Sequence, residues 1–374
     1  MEKLSRQMLA LFIVMGGVIG TGAVMLSYYG NPANTGLCVA CFMENMAGAL
    51  GFHDNVRMQY LRPELIGFVL GAFALSMLRG EFRSTGGSSP LLRFFVGMLL
   101  IIGCAMFIGC PIKLVLRITA GDLSALTGLA GLVAGVYVGL EFIENGFRLG
   151  EPGPAPRTNG LIIPGLMLFL LVLALAKPSF INESTKGSAA QHAPFLLSLG
   201  VGLLIGALAQ RTQFCITGGI ARIFLWGPRE VMNCPRSTGL LISLITFFGF
   251  ALAANLLTGQ FHLGLHGQPS SSPSYGWSFM GMFLVGFGSV LIRGCPLRQL
   301  ISAAQGDNDA GAAVMGMIVG AALVQNWGLG AGPAGAPLAG QVAVLLGICL
   351  LAIIGLFNRK RGYGIAPEYQ TGLD

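Results

Sequence analysis

The chain has 374 residues, of which 54% are hydrophobic and only 10% charged, with 57 glycines and a mean hydropathy of +0.74. That balance excludes a water-soluble globular domain and fits a polytopic membrane protein, in which small residues let helices approach closely. The net charge of +7 comes from cations scattered singly between apolar spans, so it reports topology and gives no footprint for nucleic acid.

A basic opening over 1–7 leads into an apolar run over 8–27, long enough to span a bilayer at about 20 residues per crossing and expected as a retained first helix. Further crossings are expected at 62–79, 92–109, 124–143, 161–177, 194–210, 238–257, 277–293, 310–326 and 338–357, a working total of ten. Segments 35–51 and 212–226 are apolar but too short or too interrupted to cross, and are expected as re-entrant or interfacial helices. The Pro/Gly-rich loop 150–160 and the polar stretch 182–192 flank the crossing at 161–177 and read as linkers. With a cytoplasmic N-terminus, the inside segments (1–7, 79–93, 144–160, 211–237, 293–309 and 358–374) hold 16 of the 22 Lys and Arg, which places both termini in the cytoplasm.

The segment Gly109-Cys110-Pro111-Ile112-Lys113 returns as Gly294-Cys295-Pro296-Leu297-Arg298, and Gly121-Asp122 and Gly306-Asp307 follow at the same interval. A second pair of segments, at 35–41 and 212–218, aligns Cys38 with Cys215 and Cys41 with Gly218. The chain therefore reads as two related halves: a first repeat over 1–150, a linker with a middle transmembrane helix over 151–193, a second repeat and last helix over 194–357, and a cytoplasmic tail over 358–374. Four crossings per repeat with one between them turn the second repeat upside down relative to the first. The expected fold is an all-α polytopic membrane protein, with about ten transmembrane helices in two inverted repeats and short re-entrant or broken helices.

Proline suits the first position of a helix and glycine the position just past its end, so 111–120 and 296–305 read as helices of about ten residues, roughly 15 Å or half a bilayer. Such a half-helix, starting inside the membrane, aims unpaired N–H groups at its own beginning, and Lys113 and Arg298 add charge in the first turn, an arrangement that favours an anion near Cys110 and Cys295. The alternative is a helix break at the membrane surface, with the cation snorkelling to headgroups.

Eight cysteines, at 38, 41, 104, 110, 215, 234, 295 and 349, lie mostly in or beside apolar segments, and the histidines at 53, 192, 262 and 266 are remote from them. Neither a secreted disulfide framework nor a zinc site fits that spacing. A thiol is a soft, weak donor that suits sulfur or selenium better than hard oxygen. The candidate substrate-binding residues are Cys38, Cys41, Cys110, Lys113, Cys215, Cys295 and Arg298; no catalytic residue, metal or cofactor is expected. Cys38 and Cys41, three apart, would share a helix face and could form or exchange a disulfide. Cys104, Cys234 and Cys349 are assigned to packing. Glu44 reads as interfacial or as a proton-coupling group, and Asp122 and Asp307 as caps for the next helix or as partners of Lys113 and Arg298.

These paired Gly-Cys-Pro elements, the cysteine-bearing segments at 35–41 and 212–218 and the hydropathy layout resemble the YeeE/YedE family of bacterial inner-membrane proteins, and within it the YedE-like selenium-metabolism branch, over most of the chain. The resemblance implies a transporter for small sulfur compounds, thiosulfate being the best-understood case, in which cysteines from both halves line a constricted path and pass the substrate along by hydrogen bonds to its sulfur. Cys38, Cys110 and Cys295 match the family's pathway cysteines, Cys215 matches by repeat symmetry, and Cys41 has no counterpart in the second half. Selenium follows from the resemblance alone. The expected function is a permease of the bacterial cytoplasmic membrane for a small sulfur- or selenium-containing anion, with the lipid bilayer and a small soluble sulfur/selenium-carrier protein in the cytoplasm as further partners. The alternatives are a membrane thiol-disulfide oxidoreductase carrying reducing equivalents through these cysteines, and a scaffold delivering selenium to a soluble partner.

Overall fold

The computed structural model describes residues 6–231 and 235–359, and within them the apolar runs fold as helices joined by short turns. The first half contains α1 (Arg6–Tyr28), α2 (Val39–Ala49), α3 (Pro63–Leu78), α4 (Pro90–Phe107), α5 (Pro111–Thr119) and α6 (Ala125–Glu144). A short α7 (Arg157–Gly160) and α8 (Ile162–Ala176) follow. The second half contains α9 (Phe195–Thr212), α10 (Ile216–Val231), α11 (Pro235–Leu257), α12 (Tyr275–Leu291), α13 (Pro296–Ala304) and α14 (Asn308–Asn326), and α15 (Leu338–Phe357) closes the chain. The only sheet among the described residues is a pair of antiparallel dipeptides, β1 (Thr85–Gly86) and β2 (Gly153–Pro154).

Eight helical stretches among the described residues are long and apolar enough to cross a membrane. Of the ten crossings expected, α3 and α8 are apolar but shorter, at 16 and 15 residues, or about 24 and 22 Å against a hydrocarbon core of about 30 Å. The outer surface is apolar: Leu168, Phe169, Val172 and Leu175 of α8 and Leu345, Leu346, Ile353 and Phe357 of α15 are all exposed, whereas Arg62, Glu64, Lys113 and Arg117 are buried. Apolar side chains outside and charged ones inside suit contact with lipid, and the chain is a multi-pass membrane protein.

The principal helix contacts join one half to the other: α1 packs on α11, α3 on α9, α4 on α14 and α6 on α12. The alignment that equates α1 with α9, α3 with α11, α4 with α12 and α6 with α14 exchanges the first two pairs with each other and the last two likewise. Glycine sets how closely they approach. A Cβ on Gly71 would lie 2.1 Å from the Leu203 carbonyl oxygen, and one on Gly135 2.1 Å from that of Phe283, so α3 meets α9 and α6 meets α12 at backbone contact.

The turns after α5 and α13 are also matched. His262 N and Gly264 N donate to the carbonyls of Ala120 and Gly121 (2.9 and 3.0 Å), and Arg83 N and Thr85 N donate to those of Gln305 and Gly306 (3.1 and 3.2 Å). Gly121 and Gly306 hold φ of +93° and +102°, a left-handed region open to glycine at little cost.

Three local expectations change. α10 continues to Val231, past the end expected at 226, and α2 begins only at Val39. The stretch 182–192 is docked and is no free linker: Ser184 N donates to the Gln59 carbonyl (2.8 Å), Ala189 N donates to that of Arg57 (3.1 Å), and His192 stacks on Tyr60 with centroids 4.4 Å apart. The tail expected over 358–374 lies outside the described residues beyond Arg359.

Candidate functional site

Four short helices each start just after a cysteine. Cys38, Cys110 and Cys295 are the extended N-cap residues of α2, α5 and α13, and Cys215 immediately precedes α10. The Cys38 sulfur accepts the Cys41 amide (3.4 Å), and the Cys215 sulfur accepts the amides of Gly218 (3.3 Å) and Cys295 (3.5 Å) and contacts Thr217 Oγ1 at 3.2 Å. Cys110 and Cys295 turn their sulfurs toward the amides of Lys113 and Arg298 without completing a cap bond. An oxygen side chain caps a helix better than a thiol, by about 1 kcal/mol for Ser or Asp over Ala. Capping alone therefore does not account for sulfur at all four positions.

The thiols meet in pairs. Cys38 neighbours Cys110, Cys215 neighbours Cys295, whose amide donates to the Cys215 sulfur, and Cys110 is near enough to Cys295 to act on it electrostatically. Each pair unites the two cysteine-headed elements of one half. All four are free thiols, buried to within 5% exposure.

Cys41 and Lys113 join the first pair: the Lys113 ammonium, 2% exposed, donates to the Cys41 sulfur at 3.8 Å. Lys113 does not take Asp122 as its partner. That carboxylate accepts instead from Arg117 Nε at 2.7 Å in a fully buried ion pair, while the other Arg117 nitrogens donate to the Phe107 carbonyl (2.8 Å) and to Ser124 Oγ (2.9 Å). Asp307, its equivalent, does cap the following helix, accepting from the amides of Asp309 (2.9 Å) and Ala310 (3.0 Å). Glu44 is buried within the protein: it is 6% exposed and accepts from Gln325 Nε2, whose Oε1 accepts from Asn55 (2.7 Å).

Arg298 sits apart from the first cluster. It lines a cavity of about 330 Å³ together with Cys215, Thr217, Arg93, Arg222 and Arg293. The equivalent residues Lys113 and Arg298 thus face different surroundings, one closed around a thiol and the other open.

Cys104, assigned to packing, belongs with the first cluster, close enough to Cys38, Cys41 and Glu44 to interact with them electrostatically. The left-handed turn at Ile108 (φ 62°) folds the chain back after α4 and brings Cys104 beside the head of α5. Its spacing of six from Cys110 was the available signal. Cys349 is exposed on α15 and is not a packing residue, and Cys234 lies outside the described residues. Arg93, Arg222 and Arg293 had no sequence signal, since they come from separate elements that only the tertiary fold unites.

No protein-family model matches this chain, and no curated protein matches it.

Proposed function

We propose that this protein is a permease for a small sulfur- or selenium-containing anion, passed along a constriction lined by Cys38, Cys110, Cys215 and Cys295. The reading includes membership of the YeeE/YedE family, ten crossings in two inverted repeats, both termini in the cytoplasm and the bacterial inner membrane as its location. The observation that carries it is the meeting of four buried thiols, in two equivalent pairs, at the N-terminal ends of four short helices. The exchange of helix partners between the halves and the matched turns after α5 and α13 support the inverted repeat.

The chemistry suits a soft anion. Helix N-termini carry partial positive charge that stabilises an anion by about 0.3–1 kcal/mol when exposed and up to roughly 2 when partly buried. A thiol donates weakly and has a polarizable surface, so several equivalent thiols offer contacts strong enough to admit a terminal sulfur or selenium atom and weak enough to release it. Lys113 at the first pair and Arg298 at the second favour negative charge over positive along the route. Uptake of labelled thiosulfate or selenite by cells with and without the protein tests the proposal; the expected result is uptake that depends on the protein, and equal uptake of both compounds in the two strains contradicts it.

A second reading, a membrane thiol-disulfide oxidoreductase, draws on the adjacency of Cys38 and Cys110, which would let the two thiols close a disulfide. A mixed disulfide with a partner protein, lost in Cys41→Ser, favours that reading; uptake that survives the same substitution favours the permease.

A further inference from the structure

We infer that Glu44 carries a coupling proton, taken up as the anion reaches the first thiol pair and moved across the membrane with it in the same direction. This role presupposes the permease reading and adds the ion that drives it. Glu44 lies one turn along α2 from Cys41, so the two side chains share a helix face. It is close enough to Cys41, Lys113 and Cys104 to interact with them electrostatically.

The other three buried carboxylates among the described residues hold structure. Glu64 accepts from Asn31 (2.8 Å) and Ser198 (2.9 Å), Asp122 pairs with Arg117, and Asp309 accepts from Gly87 N (3.0 Å) and Ser88 N (2.9 Å). Glu44 instead accepts from the neutral side chain of Gln325 and forms no ion pair among the described residues, while the Lys113 ammonium donates to the Cys41 sulfur. A buried carboxylate without a paired cation is costly, which favours a use for it.

The charges around the first thiol pair balance while Glu44 is ionised. α5 contributes Lys113, and its Arg117 is matched by Asp122. The start of α3 contributes Arg62 and Glu64, and Arg62 is close enough to Cys38 and Cys41 to interact with them. α4 brings Cys104, and the turn after α2 brings His53, whose Nδ1 accepts the Asn55 amide (3.3 Å) while Nε2 meets the Glu44 carbonyl oxygen (2.9 Å), the pattern of the neutral ring. α14 presents Gln325 here, its Asp309 being at the far end, and Arg298 of α13 lines the cavity beside Cys215. Lys113 and Arg62 thus offset Glu44 and Glu64. An arriving anion adds negative charge that nothing in this cluster offsets, and a proton on Glu44 removes one negative charge within reach of the same thiols. Proton and anion then raise each other's affinity by the same factor, typically about 5–150-fold.

The proton has a short way in. Gln325 and Asn55 are half-buried, and Asp54 and Asn326 beside them are exposed, so one layer of amides separates the carboxylate from the surface. Continuing the alignment of 35–41 with 212–218 places Ala221 opposite Glu44, so the second half has no such group and the expected ratio is one proton per anion.

Uptake of labelled thiosulfate into proteoliposomes of the full chain tests this, with equal potassium on both sides and valinomycin holding the membrane potential at zero. With an acid exterior, a proton gradient of about tenfold is expected to concentrate the anion inside by up to about tenfold, the limit for one proton per anion. Glu44→Gln is expected to abolish this accumulation, so that uptake is the same with and without the gradient, whereas Glu44→Asp and the exposed Asp54→Asn retain it. Entrapped pyranine reads the proton without any variant: thiosulfate added outside at equal pH is expected to acidify the lumen. Accumulation that persists in Glu44→Gln, or uptake by the parent that neither accumulates the anion nor acidifies the lumen, overturns the proton role and leaves the permease reading standing. Absence of both thiosulfate and selenite uptake by the parent contradicts the permease reading, and the proton role falls with it.

Discussion

Arg117 and Asp122 form the most deeply buried ion pair among the described residues, and the loss of one partner would strand the other in a medium that solvates charge poorly. Asp122→Ala is expected to destabilise the protein by about 3–5 kcal/mol, while Arg117→Met combined with Asp122→Ala restores most of that. Thermal melts of the detergent-solubilised protein check this; a single variant as stable as the parent shows that water reaches the pair. The same residue scale separates what was legible in the sequence from what was not. Cys38, Cys110, Cys215 and Cys295 stood out because each recurs in the other half, and the structure brings them together in pairs. Cys104, Arg93, Arg222 and Arg293 carry no repeat signal, and their placement depends on a turn at Ile108 and on the packing of separate helices.

At the scale of elements, α5 and α13 follow the sequence to within one residue of the expected ends, because Pro111 and Pro296 start them and Gly121 and Gly306 stop them by local backbone preference. The end of α10 and the docking of 182–192 were not legible: the first runs on through Gly227 and Pro228 to Val231, against their local preference to stop a helix, and the second is decided by hydrogen bonds to residues 57–59. Close approach of α3 to α9 gives a prediction at this scale. Gly71→Leu forces a side chain into the Leu203 carbonyl and is expected to cost about 1–3 kcal/mol or more, whereas Gly200→Leu on the same α9, exposed and with open space around it, is expected to be neutral. Comparable melting losses for the two contradict backbone-level contact between these helices.

Across the whole molecule, composition was enough to define a helical membrane protein, and the echo of Gly-Cys-Pro was enough to propose two halves. Which helices of the two halves pair was not readable from hydropathy, which is insensitive to the facing of a helix; small residues at the α3·α9 and α6·α12 crossings decide it. On the proposed permease reading, the two thiol pairs, with Cys110 within electrostatic reach of Cys295, form one serial route on which an anion passes both. Proteoliposome uptake of labelled thiosulfate by Cys110→Ala and by Cys295→Ala tests this most directly. Loss of a charge-assisted sulfur contact worth about 1.4 kcal/mol or more in either half is expected to slow uptake at least about tenfold in each variant; wild-type uptake in either one would show that the substrate does not travel past both.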